Sequence, residues 1–303
     1  MTTTTTIVTG GDRKARRSSR RVEPIYYLFL LPTLILFTLA ITVPAVVGIF
    51  FSFTDSIGIG DWSFIGLINY IALFGDPAIL QSYLFTFGFA VATVIVVNVI
   101  AFLLAVGLTS RIRFKTGLRT IFVIPMVISG IIIAYVFNFL FSNSLPALGE
   151  ALGISWLSTS LLANADLAWI AIVIVTAWQA IPATLLIYIA GLLSVPGEVY
   201  EAAGIDGANK RQQLLRITVP LVAGYVVINV ILGFKNFLNA YDIIVGLTNG
   251  GPGTATRSVA MTIIAGFNGG DYAYQMANAT IFFVVAILIS LLQLSVTRGR
   301  NAF

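Results

Sequence analysis

The chain has 303 residues, 58% of them hydrophobic and only 10% charged, with a net charge of +5 and a mean hydropathy of +0.98. A soluble domain carries about 45–50% apolar and about 25% charged residues, so this composition excludes a soluble enzyme and, outside the N-terminus, extended disorder. The absence of Cys and His removes thiol nucleophiles, disulfides, the usual zinc sites and any histidine acid or base.

Residues 1–23 join a threonine run to six basic residues between Arg13 and Arg21. They read as a flexible basic cytoplasmic tail that pins orientation on an anionic leaflet. The apolar run that follows is too long for a signal peptide and contains Pro32 and Pro44. An uncleaved first helix is the expectation. Six stretches reach the roughly 20 apolar residues that a bilayer core about 30 Å thick requires. They are Ile25–Phe53, Tyr83–Leu108, Ile121–Phe141, Leu167–Leu193, Val219–Leu247 and Met276–Val296. Runs such as Val91–Ala105 are apolar on every face, unlike the alternating strands of a membrane barrel. The predicted fold is an all-α polytopic membrane protein, with six spans in residues 24–297 and a cytoplasmic tail at 298–303.

Charge gives the orientation. Of the 17 basic residues, 15 fall in the clusters Arg13–Arg21, Arg111–Arg119, Lys210–Arg216 and Arg298–Arg300, all on one side of a six-span chain. The opposite loops hold only Arg257, together with Asp55, Asp61, Asp76, Glu150, Asp166 and Asp271. The positive-inside rule therefore places both termini in the cytoplasm. The basic surplus reports topology and contact with the lipid bilayer, and no nucleic-acid partner is expected.

The most polar cytoplasmic loop, about 194–218, joins spans four and five. Pro196 suits a helix start, and Glu198 and Glu201 complement the positive end of its dipole. Ala202 and Ala203 are small enough for another protein to approach closely. Gly204 and Gly207, flanking Asp206, are expected to turn the backbone and end the helix. A second amphipathic segment carries Lys210, Arg211 and Arg216 toward Pro220.

Glu201-Ala202-Ala203, three residues, Gly207, nine residues, then Ile217-Thr218-Val219-Pro220 resembles the signature loop of ABC importer permeases, with Val219 in place of the family's Leu. Phe64-Ile65-Gly66-Leu67-Ile68-Asn69-Tyr70, Leu247-Thr248-Asn249-Gly250-Gly251-Pro252-Gly253 and Ala277-Asn278-Ala279 are similar to segments of the carbohydrate-importer branch. The resemblance runs from about residue 25 to 297 and implies a type I ABC importer permease fold in a bacterial or archaeal plasma membrane. It also implies a complex with a second permease, two ATPase subunits and an external solute-binding protein. ATP and Mg would be bound by the ATPases alone: no phosphate-binding Gly-x-x-x-x-Gly-Lys loop occurs in this chain, and no cofactor or metal is expected on it. By this resemblance the loop containing Glu198, Glu201, Ala202, Ala203, Gly204, Asp206 and Gly207 is the helix that couples to one ATPase.

Polar groups inside spans are expensive and point to function. Thr176, Gln179 and Ala183 fall on one face of span four, and Gly233, Asn236, Phe237 and Ala240 on a stripe of span five, with Asn239 beside it. Amides, hydroxyls, an aromatic face and small residues suit a sugar, and the resemblance puts these positions on the sugar path. Helix–helix hydrogen bonding is the other use of such residues. Trp178 and Tyr188 read as packing. Lys235 and Asp242 are expected two turns apart on one face of span five, either paired elsewhere or lining the path. Glycerol-phosphate or polyol transport stays open as a substrate class. An ion-coupled transporter is disfavoured because Asp242 is the only acid well inside a span and no inverted repeat is visible.

Overall fold

The computed structural model describes residues 24–110 and 113–298. The expected tail with Arg13 to Arg21, Arg111, and the residues beyond Arg298 lie outside the described residues. The chain divides into two units, Met1–Val47 and Gly48–Phe303.

The first unit holds most of α1 (Ile25–Phe51). Pro32 sits inside it, and a π-helical turn over Thr38–Thr42 precedes Pro44, where a missing N–H disfavours a regular α ladder. Every residue from 25 to 47 is exposed. A surface that apolar suits lipid rather than water.

In the second unit, the chain leaves the first span through a hairpin locked by α2 (Ile68–Gly75). The buried Asn69 amide donates to the carbonyls of Ser52 and Thr54, each at 2.9 Å, while Tyr70 meets Ser52 hydroxyl to hydroxyl at 2.6 Å. α3 (Pro77–Thr109) starts on an Asp76 cap, whose carboxylate accepts from the amides of Ala78 and Ile79, the use expected of Asp before a helix. α4 (Lys115–Val127), α5 (Gly130–Leu152) and α6 (Ala165–Ser194) follow. The core lies where α3 and α6 pack along their length. Ala90, Ala101, Ala105, Ala168 and Ala171 are at most 2% exposed, and such small residues let membrane helices approach closely.

The loop helix α7 (Gly197–Ile205) leads to α8 (Lys210–Leu221) and α9 (Ala223–Leu238), which meet at 62°. Beyond them lie α10 (Asp242–Thr248), α11 (Val259–Gly269) and α12 (Tyr272–Arg298). α12 is tied to α3 by Tyr83, whose hydroxyl donates to Asn278 Oδ1 at 3.0 Å. Among the described residues no β-strand forms; Thr54 and Phe64 make an isolated bridge.

Five described helices are long and apolar enough to cross a bilayer, or six if α8 and α9 are one broken span. Spans one, two, four and six match the sequence expectation to within six residues at each end. Spans three and five do not. The expected Ile121–Phe141 straddles a break at Ile128-Ser129, three residues after Pro125. The expected Val219–Leu247 bends at Val222, just past Pro220, and stops at Leu238. Asn239-Ala240-Tyr241 separates it from α10, and Asn and Asp offer the backbone side-chain hydrogen bonds that compete with a helix ladder. Lys235 and Asp242 therefore do not share a face of one helix, because the helix between them ends.

Candidate functional site

The Glu201 loop is a small folded unit. Pro196 precedes α7, and Gly207 follows it with φ +79°, a left-handed conformation that glycine adopts without strain. Gly204 lies inside the helix and does not turn the chain, contrary to the sequence expectation. Asn209 and Gln212 form a reciprocal capping box at the start of α8. The Gln213 amide donates to the Ala208 carbonyl at 3.0 Å, and the Tyr200 and Thr218 hydroxyls meet at 3.0 Å. The Tyr200–Thr218 contact fastens α7 to the segment that becomes span five, and the Gln213 bond holds the turn between them.

Ala203 is turned inward and buried, with its carbonyl accepting from the Ala208 amide at 2.9 Å. It is a packing residue of the loop rather than an approach surface. Glu198, Glu201, Ala202, Gly204, Asp206 and Gly207 are exposed. Ile205 is 88% exposed at the end of α7. Sequence reasoning missed it, although an isoleucine set between Gly204 and Asp206 was the available signal.

The second feature is a recess of about 420 Å³ where the two span breaks face each other. Thr176 and Gln179 of α6 line it together with Asn236, Phe237, Asn239 and Ala240 at the end of α9. Six of the eight pathway candidates thus come together. Ala183 and Gly233 are not on its lining; a Cβ on Gly233 would sit 3.4 Å from Phe237 and 3.6 Å from Val94, at the packing seam with α3. Residues not singled out from sequence complete the wall: Met126, Gly130, Ala180, Tyr241, Asp242 and Ile243. Met126 and Gly130 reach it because span three breaks beside Pro125, the one signal that pointed there.

The polar groups differ in freedom. Gln179 Nε2 donates to the Ile128 carbonyl at 3.0 Å, satisfying an acceptor that the α4–α5 break orphans. Asn239 Nδ2 donates to the Lys235 carbonyl at 2.9 Å and closes the end of α9. The Asn236 amide has no partner among the described residues and is exposed. Thr176 is 5% exposed, and its buried hydroxyl oxygen has no hydrogen-bond partner. Phe237 is buried and meets Phe89 edge to face at 6.5 Å, so most of its ring serves the core. Trp178 stacks at a tilt on Phe137 at 5.4 Å, and the buried Tyr188 donates to Asn98 Oδ1 at 2.6 Å, as expected of packing residues.

Several apolar spans, a hydroxyl- and amide-lined recess among them, and a stiff exposed helix in the loop between α6 and α8 define a multi-pass membrane transport subunit. Residues 98–302 match the family described as binding-protein-dependent transport system inner membrane component, and the chain belongs to that family. This agrees with the resemblance carried by the Glu201 loop. The chain is 34% identical over 277 residues to the probable starch degradation products transport system permease protein AmyD of Thermoanaerobacterium thermosulfurigenes, covering 91% of this chain and 94% of that protein. It is 33% identical to the multiple sugar-binding transport system permease protein MsmF of Streptococcus mutans, covering 90% and 94%. Identity to the trehalose/maltose transport system permease protein MalF of Thermococcus litoralis is 31%, covering 93% and 96%. The fold is similar to that of a bacterial ABC transporter involved in the import of the acidic polysaccharide alginate, with a TM-score of 0.80 at 20% identity over 91% of this chain and 96% of that one.

Proposed function

We propose that this chain is one of two permease subunits of an ATP-driven, binding-protein-dependent importer of a di- or oligosaccharide. The observation that carries the reading is the recess, where Gln179, Asn236 and Asn239 gather beside the unsatisfied hydroxyl of Thr176. Sugars are recognised by such donor–acceptor groups. The names of the sugar-permease relatives favour the same class. A second permease would close the other side of the path, and an external solute-binding protein would deliver the sugar. Two ATPase subunits would bind ATP and Mg, one of them seated on the Glu201 loop.

Uptake of a labelled glycan panel by the reconstituted complex, with and without ATP, tests the assignment; ATP-independent uptake would overturn it. Gln179→Ala and Asn236→Ala should weaken uptake or alter sugar preference while leaving the complex assembled. Each lost hydrogen bond costs about 0.5–1.5 kcal/mol, roughly a two- to thirteenfold loss. Wild-type kinetics for every sugar in both variants would remove these residues from the path.

Orientation belongs to the same proposal, with the Glu201 loop and both termini in the cytoplasm of a bacterial or archaeal cell. Cysteines placed at Thr116 and Asn209 should be shielded from an impermeant thiol reagent in intact cells, whereas cysteines at Asp61 and Ser158 should label. Labelling at Asn209 from outside would reverse the topology.

A further inference from the structure

Asp242 is the one charged side chain on the lining of the recess; it stands in the first turn of α10, where a carboxylate complements the helix dipole, but no side chain neutralises its charge. It is exposed, and among the described residues it makes neither an ion pair nor a side-chain hydrogen bond. A charge among membrane helices is costly unless it faces a wet cavity, and one that lines such a cavity is placed to meet what enters it. No basic side chain lines the recess. Lys235 stands on the far side of the helix end at Leu238 and is not on the wall. Arg257 lines a neighbouring recess of about 350 Å³ that shares only Tyr241 with this one.

We propose that Asp242 sets the charge selectivity of the recess, so that neutral and amino-bearing sugars are admitted and sugars carrying a carboxylate or phosphate are refused. This rests on the sugar-path reading above. Gln179, Asn236 and Asn239 offer both donors and acceptors, which suits hydroxyl groups. An anionic sugar would meet a carboxylate with no guanidinium or ammonium to pair with. Partial exclusion of water strengthens that repulsion. Specificity of this kind comes from a repulsive element built against the wrong ligand. A protonated amino sugar is attracted by the same group.

The test is equilibrium dialysis against the purified transporter without its binding protein, so that the membrane part alone selects. The probes are radiolabelled maltose, maltotriose, trehalose, cellobiose and melibiose, each paired with its C6-oxidised uronate, and the dimer of glucosamine. The wild type should bind at least one neutral probe or the glucosamine dimer at least tenfold tighter than any uronate. Asp242→Asn should raise the ratio of uronate to neutral affinity at least tenfold, and Asp242→Lys should invert the preference. Equal wild-type affinity for a neutral sugar and its uronate, or a ratio unmoved by Asp242→Asn, overturns the proposal. Loss of the second permease from the purified Asp242→Asn complex also overturns it, by assigning the carboxylate to an interface. Failure of the sugar-path reading has a separate signature: probe binding that Gln179→Ala and Asn236→Ala leave unchanged removes both readings together.

Discussion

Glu201→Ala is expected to abolish sugar-stimulated ATP hydrolysis or to detach the ATPase, while the protein inserts and pairs with the second permease. Glu201 is exposed on α7, away from the recess, and its removal leaves no fold contact unmet among the described residues. Truncating one member of a charge pair buried at an interface costs about 2–5 kcal/mol, a loss of roughly 30-fold or more. The loop is fastened to the start of span five by Gln213 and the Tyr200–Thr218 contact, so a push on α7 moves α8 with it. Gly207→Val should act in the same direction by another route, because a β-branched residue at φ +79° is strained. Unchanged ATPase association and uptake in Glu201→Ala would show that the loop is not the coupling element.

Gly246→Val should cost the most stability of any single change considered. A Cβ at Gly246 of α10 would lie 2.5 Å from the Ala134 Cβ of α5 and 3.1 Å from Ile131. Alanine has no rotamer to swing away, so the two helices must part. Overpacking of this kind costs about 1–3 kcal/mol, and the larger side chain falls at the upper end. Parting α10 from α5 also strains the hydrogen bond from Asn138 to the Leu247 carbonyl, 2.6 Å long, and shifts Ile243 on the wall of the recess. The thermal midpoint of the purified complex should drop and sugar affinity weaken with it. Gly233→Ala, whose Cβ would make ordinary contacts with Phe237 and Val94, should leave the midpoint near wild type. Equal midpoints for Gly246→Val and the wild type would contradict the packing described.

Much of this architecture was legible in the sequence because lipid imposes a simple rule: about 20 apolar residues per crossing, with basic residues between. The motifs were legible for a related reason. Asn69 and Asn249 sit where a turn needs a side-chain partner or a left-handed backbone, and Asn278 sits inside α12 where it accepts from Tyr83 of α3. Hydropathy could not reveal the breaks at Ile128-Ser129 and Asn239–Tyr241, because both halves of each span are apolar and only Pro125 and the Asn239 to Asp242 stretch mark the interruption. The recess was half legible. Helical periodicity placed Gln179 with Thr176 and Asn236 with Phe237, but Met126 and Gly130 come from a third span whose contribution depends on tertiary packing. Ala203 and Gly204 show the same limit at the loop: residue size and type allow an approach surface or a turn, and the hydrogen bonds of α7 decide against both.

The shortness of α10 has a consequence for what holds it in the membrane. Seven residues of helix are about 10.5 Å long, a third of the hydrocarbon thickness. Such a segment does not partition into lipid as a span, and its open backbone ends are tolerated only where protein or a wet cavity receives them. Its neighbours are supplied by α5, through Ala134 against Gly246 and the Asn138 amide on Leu247. The place of this segment in the membrane therefore depends on the groove that α5 and α6 offer it rather than on its own affinity for lipid.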